Sequence, residues 1–252
     1  MLQGTGTELQ AESPSHLRLR PLDDFPGSLS VRTYATLKHA ILHLTFRPGE
    51  PLRKPEICEH LGISRSPVSE AVARLAAEGL VDVIPQAGTL VARFSLQEIR
   101  EGAFLRQALE IAAVERVAPS MTEDQLVLLR RNLRLQGVLV DDQDFDGFYQ
   151  SDAAMHELIH AFTGFRRLTQ FSDTAWVHVN RARRLILPQP GRVELTLAEH
   201  QAIVAALEHR DAKAAGRAMR HHLEQLLSLL EPLIAERPEF FDQDEGALGP
   251  SR

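Results

Sequence analysis

The sequence predicts a mostly α protein in two parts. An N-terminal winged helix-turn-helix, three helices plus a β-hairpin wing, is followed by an all-α antiparallel helical bundle. Three observations predict this. Between about residues 31 and 92, short helical patterns end at glycines, and two β-runs flank a turn from Pro85 to Gly88. After about residue 94 the strand signals vanish, and six long amphipathic segments follow. The pattern changes over 93–96, which is the expected domain boundary.

Residues 1–28 are rich in Gly, Ser, Thr and Pro without periodicity and are expected to be disordered. The winged domain is expected over 29–93. Its first helix carries Tyr34, Leu37, Ile41 and Leu44 at helical spacing and stops at Arg47-Pro48-Gly49. A short second helix over 54–61 turns Ile57, Cys58 and Leu61 inward, and Gly62 ends it. Ser64 or Ser66 can cap the third helix, and Pro67 suits its first turn. That helix lines up Val68, Ala71, Val72 and Leu75 and stops at Gly79. The hairpin lies within LVDVIPQAGTLVARF. The bundle, expected over 96–236, has helical segments at 96–118, 122–138, 143–163, 166–187, 194–209 and 212–235. Pro119, Gly164 and the PQPG of 188–191 punctuate them. The tail, 238–252, is expected to be disordered.

No apolar run approaches the ~20 residues that span a bilayer. The N-terminus lacks the basic start and apolar core of a signal peptide. A lone cysteine, Cys58, excludes an internal disulfide framework. The expected location is therefore cytoplasmic, without membrane contact. The net charge of −6 is uneven: residues 31–95 hold eight Lys/Arg against six Asp/Glu, so only this segment is net positive.

The turn Leu61-Gly-Ile-Ser64 lets the third helix cross the second, so its first residues can enter a DNA major groove. Arg65 stands there and can pair with guanine or reach a phosphate. Ser64, Ser66 and Ser69 are short donors at the same end. Arg53 and Lys54 start the second helix, where a phosphate would pass. The alternative is a purely structural module. Arg74 reads as a surface charge.

The stretch LGISRSPVSEAVARLAAEGLV (61–81), with the following turn and Gly88-Thr-Leu-Val, resembles the DNA-binding domain of GntR-type bacterial transcription regulators. The family pattern is L-G-[VI]-S-R-[ST]-P-V-R-E-A-[LV]-x-x-L-x-x-E-G-L-[VI]. The resemblance implies that Arg65 contacts DNA from the recognition helix and that Gly88 is the wing-tip glycine approaching the minor groove. The sequence departs from the family at Ser69, where arginine is usual, and at the non-basic tip Gln86-Ala87-Gly88. Each missing phosphate contact should lower the salt slope of binding by roughly one unit.

In the second part, His156-Glu157-Leu158-Ile159-His160 matches H-E-x-x-H, a zinc-protease signature. Asp152 and His156 share a helix face with apolar neighbours. His200 is flanked at helical spacing by Leu197, Ile203, Val204 and Leu207. His222 falls in the apolar stripe of the last helix, and His221, about 100° away, falls on the polar side. One carboxylate and three imidazoles on three helices could converge on a divalent metal such as zinc, nickel or manganese. Each histidine taken singly reads equally as a satisfied core residue.

Residues 96–235 resemble the FCD domain, the helical effector domain of FadR-type GntR regulators. The resemblance rests on Asp152-Ala-Ala-Met-His156, Ala198-Glu199-His200-Gln-Ala-Ile203 and Ala218-Met219-Arg220-His221-His222-Leu223. It implies a metal, zinc first, on Asp152, His156, His200 and His222, with positions open to a small carboxylic-acid effector. Arg106 is a candidate carboxylate partner, or an ordinary salt bridge. His160, one turn beyond the metal, is a second cavity candidate. His178, Asn180 and Arg181 are candidates from their helix alone. The family implies a homodimer on a near-palindromic double-stranded operator, and a repressor released by ligand. The alternatives are a regulator for which the metal itself is the signal, a metal-free receptor for a larger acyl ligand, and a zinc hydrolase using Glu157 as base. The hydrolase would leave the DNA-reading half unexplained.

Overall fold

The computed structural model describes residues 18–86, 88–168 and 176–242. In chain order its main elements are α1 (Leu29–Leu42), α2 (Lys54–Leu61), α3 (Arg65–Ala77), β1 (Val81–Ile84), β2 (Gly88–Val91), α4 (Leu96–Val117), α5 (Glu123–Asp141), α6 (Phe145–Phe162), α7 (Val177–Ile186), α8 (Arg192–Glu208) and α9 (Ala212–Glu236). No helix among the described residues is long and apolar enough to cross a membrane.

The N-terminal half packs α1 against α3 over Leu37, Ile41, Ile57, Val68, Val72 and Leu75, each essentially without exposure. Gly62 ends α2 in the left-handed region (φ 64°), which glycine enters without steric cost, and turns the chain into α3. Ser64 occupies the N-cap position of α3, but its side chain makes no capping bond. β1 and β2 pair antiparallel, Val81 opposite Val91 and Ile84 opposite Gly88. The loop after α1 lies along this hairpin: Leu52 N–H donates to Thr89 O (2.7 Å) and Val91 N–H to Glu50 O (2.8 Å). The wing is thereby anchored to the body of the domain. The first helix ends earlier than its apolar spacing suggests: α1 stops at Leu42, and Leu44 takes a positive φ of 58°.

In the helical half, α4 and α9 pack together, α5 lies against α6 and α8, and α8 against α9. Val114, Leu129, Met155, Ile159, Ile203, Leu207 and Met219 form the core between them. Of the segment expected to be helical over 166–187, residues 169–175 lie outside the described residues, and α7 covers 177–186.

Parts of both segments expected to be disordered, residues 18–28 and 238–242, are ordered. Before α1, a 3-10 turn spans Leu22–Asp24, Arg32 pairs with Asp23 (2.6 Å), and Leu19 packs on the first core. After α9, Phe94 N–H donates to Phe240 O (2.8 Å) and Asp242 N–H to Phe94 O (3.0 Å). Phe241 is 3% exposed, its ring 5.5 Å from that of Phe94. Two adjacent phenylalanines in a polar tail gave that segment something to bury. Residues 1–17 and 243–252 lie outside the described residues.

Candidate metal centre and DNA-reading face

Helix α6 carries Asp152, His156 and His160 one turn apart, all buried. Helix α8 brings in His200 and α9 brings in His222. One ring nitrogen from each of His156, His200 and His222 lies within 4.8 Å of the others. Asp152 adjoins them: Oδ1 is 3.4 Å from His156 Nε2, and Oδ2 is 3.9 Å from His200 Nε2. Among the described residues His156 Nε2, His200 Nε2 and Asp152 Oδ1 are buried without a hydrogen-bond partner. Orphaned polar atoms are costly in an interior, and a shared cation would satisfy all three. Three imidazoles and one carboxylate are a donor set that suits zinc and also nickel or manganese. His221 is exposed, and so is Glu157 of the HELIH stretch.

Around these residues stands a layer of partners of which the sequence singled out only Arg106. His156 Nδ1 lies against Glu110 Oε2, and Arg106 Nε donates to Glu110 Oε1 (2.6 Å). His200 Nδ1 meets Gln136 Oε1 at 2.8 Å, and His222 Nδ1 meets Glu199 Oε2 at 2.7 Å. Arg192 grips Glu199 with two parallel bonds of 2.9 and 2.7 Å. Arg183 pairs with Asp152. Only Arg106–Glu110 and Arg192–Glu199 have spacings that a single helix would betray. Gln136 was detectable as a polar residue on the buried stripe of Leu126 and Leu129. Burial pushes His200 and His222 well below the ordinary histidine range. Burial also disfavours charge on His156, yet the Glu110 and Asp152 carboxylates together outweigh it and raise that pKa. Asp152 is held ionised against its burial, chiefly by the Arg183 guanidinium.

Beside His222 is a cavity of about 30 Å³, lined by Arg106, Asp152, Arg183, Arg192 and Thr196 among others. That volume holds about two waters. Arg106 thus reaches the cavity while also bound to Glu110. His160 is buried beneath Trp176, ring centroids 5.3 Å apart, and neither of its nitrogens has a hydrogen-bond partner among the described residues. Burial lowers its pKa to about 4. It neighbours the histidine cluster but is not part of the cavity lining.

His178 and Arg181 do not reach the cavity, contrary to expectation. His178 Nδ1 is 3.3 Å from Glu98, and its ring abuts Gly79 of the winged domain. Arg181 is fully buried with its guanidinium 4.5 Å from the Phe94 ring, and burial lowers its pKa to about 10. The reason is helical phase. Arg183 follows Arg181 by two residues, about 200° around α7, so Arg183 faces the cavity when Arg181 faces the domain junction. Asn180 offers its backbone oxygen to Tyr149 Oη (3.1 Å).

On the winged domain, Arg65 opens α3 and is exposed, as are Ser64, Ser66 and Ser69. Ser66 Oγ donates to Glu70 (3.2 Å). Arg53 pairs with Glu56 (3.1 Å) on the surface, and Lys54 is the first residue of α2. Gly88 sits exposed at the wing with φ 115°, and an added Cβ would meet none of the described residues within 4 Å. Its neighbour Ala87 lies outside the described residues. Arg74 lies 3.8 Å from the Tyr34 ring.

Two family models match the chain: bacterial regulatory proteins of the gntR family over residues 29–91, and the FCD domain over 101–225. The HTH-type transcriptional repressor RspR of Escherichia coli (strain K12) is 31% identical over 211 residues, 84% of this chain and 92% of the relative. The chain belongs to the GntR family. An HTH-type regulator from an unstable DNA locus of Streptomyces ambofaciens is 32% identical over 84% of this chain and 89% of its own length. The solved structure of E. coli McbR/YncC shares the fold with a TM-score of 0.69, at 21% identity, over 82% of this chain and 99% of that one. This GntR-family member is therefore a DNA-binding transcription regulator and not an enzyme. The H-E-x-x-H match is incidental to that role.

Proposed function

We propose that the chain is a repressor that binds a near-palindromic operator as a homodimer and is released by a small carboxylate sensed at a metal in the helical domain. The observation that carries the reading is the convergence of His156, His200 and His222 with Asp152 beside a cavity ringed by Arg106, Arg183 and Arg192. Zinc is the proposed metal, held by those four residues, with Asp152 supplying the only anionic donor. Bound there, the metal offers Lewis-acid positions to an oxygen ligand. Arg106, Arg183 and Arg192 orient a carboxylate toward it. Arg65, Ser64, Ser66, Ser69, Arg53, Lys54 and Gly88 are the proposed DNA contacts. Repression follows the printed name of the E. coli relative.

Helix α7 supports a path between the two functions. Arg183 faces the cavity through Asp152, while Arg184 contacts His43 at the end of α1. A ligand that binds one arrangement of α7 better shifts the population toward it. The test is operator binding by fluorescence anisotropy, with and without a panel of small carboxylates, on zinc-loaded protein. The reading fails if no carboxylate changes operator affinity.

A second reading is favoured by the cavity volume. A space of about 30 Å³ has room for water on a metal and little more. If zinc alone changes operator affinity while no carboxylate does, the metal is the signal.

A further inference from the structure

We propose that Asn132 and Gln136 are positioning residues that set the tautomer of His200, and so present a bare Nε2 to the metal. The inference rests on the metal reading above and adds how one ligand is prepared for it.

The contacts form a directed chain. Asn132 Nδ2 donates to the backbone oxygen of Ser151 (2.8 Å), with Ser151 Oγ at 3.2 Å. Gln136 Nε2 donates to Asn132 Oδ1 (2.7 Å). Gln136 Oε1 lies 2.8 Å from His200 Nδ1. Gln136 and His200 have no exposure, so water cannot take the place of either at their shared bond, and Asn132 is half-buried.

A side-chain amide can be turned end for end, and the choice is fixed by its neighbours. Here a single group fixes the whole chain. A backbone carbonyl can only accept, so Asn132 must turn its amino group to Ser151. Its oxygen then faces Gln136, which must answer with its own amino group. The Gln136 oxygen is left for His200, so Nδ1 must carry the hydrogen. A neutral imidazole protonated at Nδ1 has its lone pair on Nε2, the atom that lies 3.9 Å from Asp152 Oδ2. Turning either amide over would set oxygen against oxygen in the interior.

The other two histidines are oriented differently. His156 and His222 turn Nδ1 to carboxylates, Glu110 and Glu199, each balanced by an arginine. At His200 the acceptor is an uncharged amide, and among the described residues no arginine is paired with it. The relay orders the ligand without adding negative charge. It also joins the α6 turn that carries Asp152 to α8 by way of α5. Partners of this kind typically affect metal affinity 10–100-fold.

The test uses full-length protein labelled with ¹⁵N-histidine and stripped of metal. Long-range ¹⁵N–¹H correlations read the tautomer, with His200 assigned from the spectrum of His200→Gln. The expected result is Nδ1–H with Nε2 unprotonated. Gln136→Met, close in volume but without a strong acceptor, should populate the Nε2–H form. It should also weaken zinc binding 10–100-fold in competition with a chromophoric chelator. Asn132→Leu, which frees Gln136 to turn over, should shift the tautomer in the same direction. Nε2–H in the wild-type chain overturns the proposal whether or not the variants fold. So does an unchanged tautomer and zinc affinity in folded Gln136→Met. Nδ1–H at His200 in a wild-type chain that takes up no zinc would uphold the relay and overturn the metal reading instead.

Discussion

Arg184 Nη2 lies 2.6 Å from His43 Nε2, joining α7 of the helical domain to the last turn of the DNA-binding domain's first helix. Its chain neighbour Arg183 holds Asp152 beside the histidine cluster. The guanidinium of Arg184 also pairs with Asp146 and lies 3.8 Å from the Tyr149 ring. One helix thus touches the candidate site with one residue and the DNA-reading domain with the next. Arg184→Ala is expected to leave zinc content and effector affinity within a few-fold of wild type. The ratio of operator affinities with and without effector should collapse toward one. Titrations of operator and effector on the same protein check this. A preserved ratio would remove Arg184 from the path.

The same junction predicts a pH dependence. The His39 and His43 rings stack with centroids 3.5 Å apart. Burial first, then His43, Arg20 and Arg184, lower the His39 pKa from 6.5 to about 4, against a smaller opposing pull from Asp146. Burial and Arg184 lower His43 as well. Between pH 4 and 6.5 the unfolded chain therefore binds more protons than the folded one at His39. Stability from this group is complete above about pH 6.5 and is lost as pH falls toward 4. In thermal melts across this range the wild type should lose stability relative to His39→Gln as pH falls. Parallel curves would contradict the prediction.

On the DNA side, base and phosphate contacts leave different signatures. Arg65→Ala is expected to cost about 1–3 kcal/mol of operator affinity and to relax specificity at one position of each half-site. Arg53→Ala should weaken binding evenly across sequences and lower the salt slope by about one unit. Affinities over a range of salt concentrations, on operator and scrambled DNA, distinguish the two. Equal losses on both DNAs for Arg65→Ala would make it a phosphate contact.

The C-terminal segment is structural. Phe241→Ala removes a ring buried against Phe94, and the expected loss is about 3 kcal/mol of stability, the low end for a buried phenylalanine because the segment can relax. Chemical denaturation checks it. A loss below about 0.5 kcal/mol, the range of ordinary surface substitutions, would mean that the ring contributes nothing.

The fold was legible because its parts announce themselves locally. Gly62, Gly79 and the Pro85–Gly88 turn punctuate the winged domain, and helical spacing marks the bundle. Helical phase also sorted the adjacent pair: His222 is buried and His221 exposed. The layer around the histidines was not legible, because Gln136 and His200 are 64 residues apart and meet only in the tertiary structure. Helix α7 misled for a related reason. With Arg181, Arg183 and Arg184 crowded together, its sequence does not reveal which of them faces the cavity. Phe240 and Phe241 were an apolar signal that the polar tail concealed.

The most direct test is metal content. Zinc should be found at about one ion per wild-type chain, measured by mass spectrometry after dialysis against metal-free buffer. His200→Ala should lose most of it while still folding and still binding operator DNA without effector. That result, together with loss of the carboxylate response in His200→Ala, is what the account predicts. Equal zinc in both proteins, or a carboxylate response that survives without the metal, would contradict it.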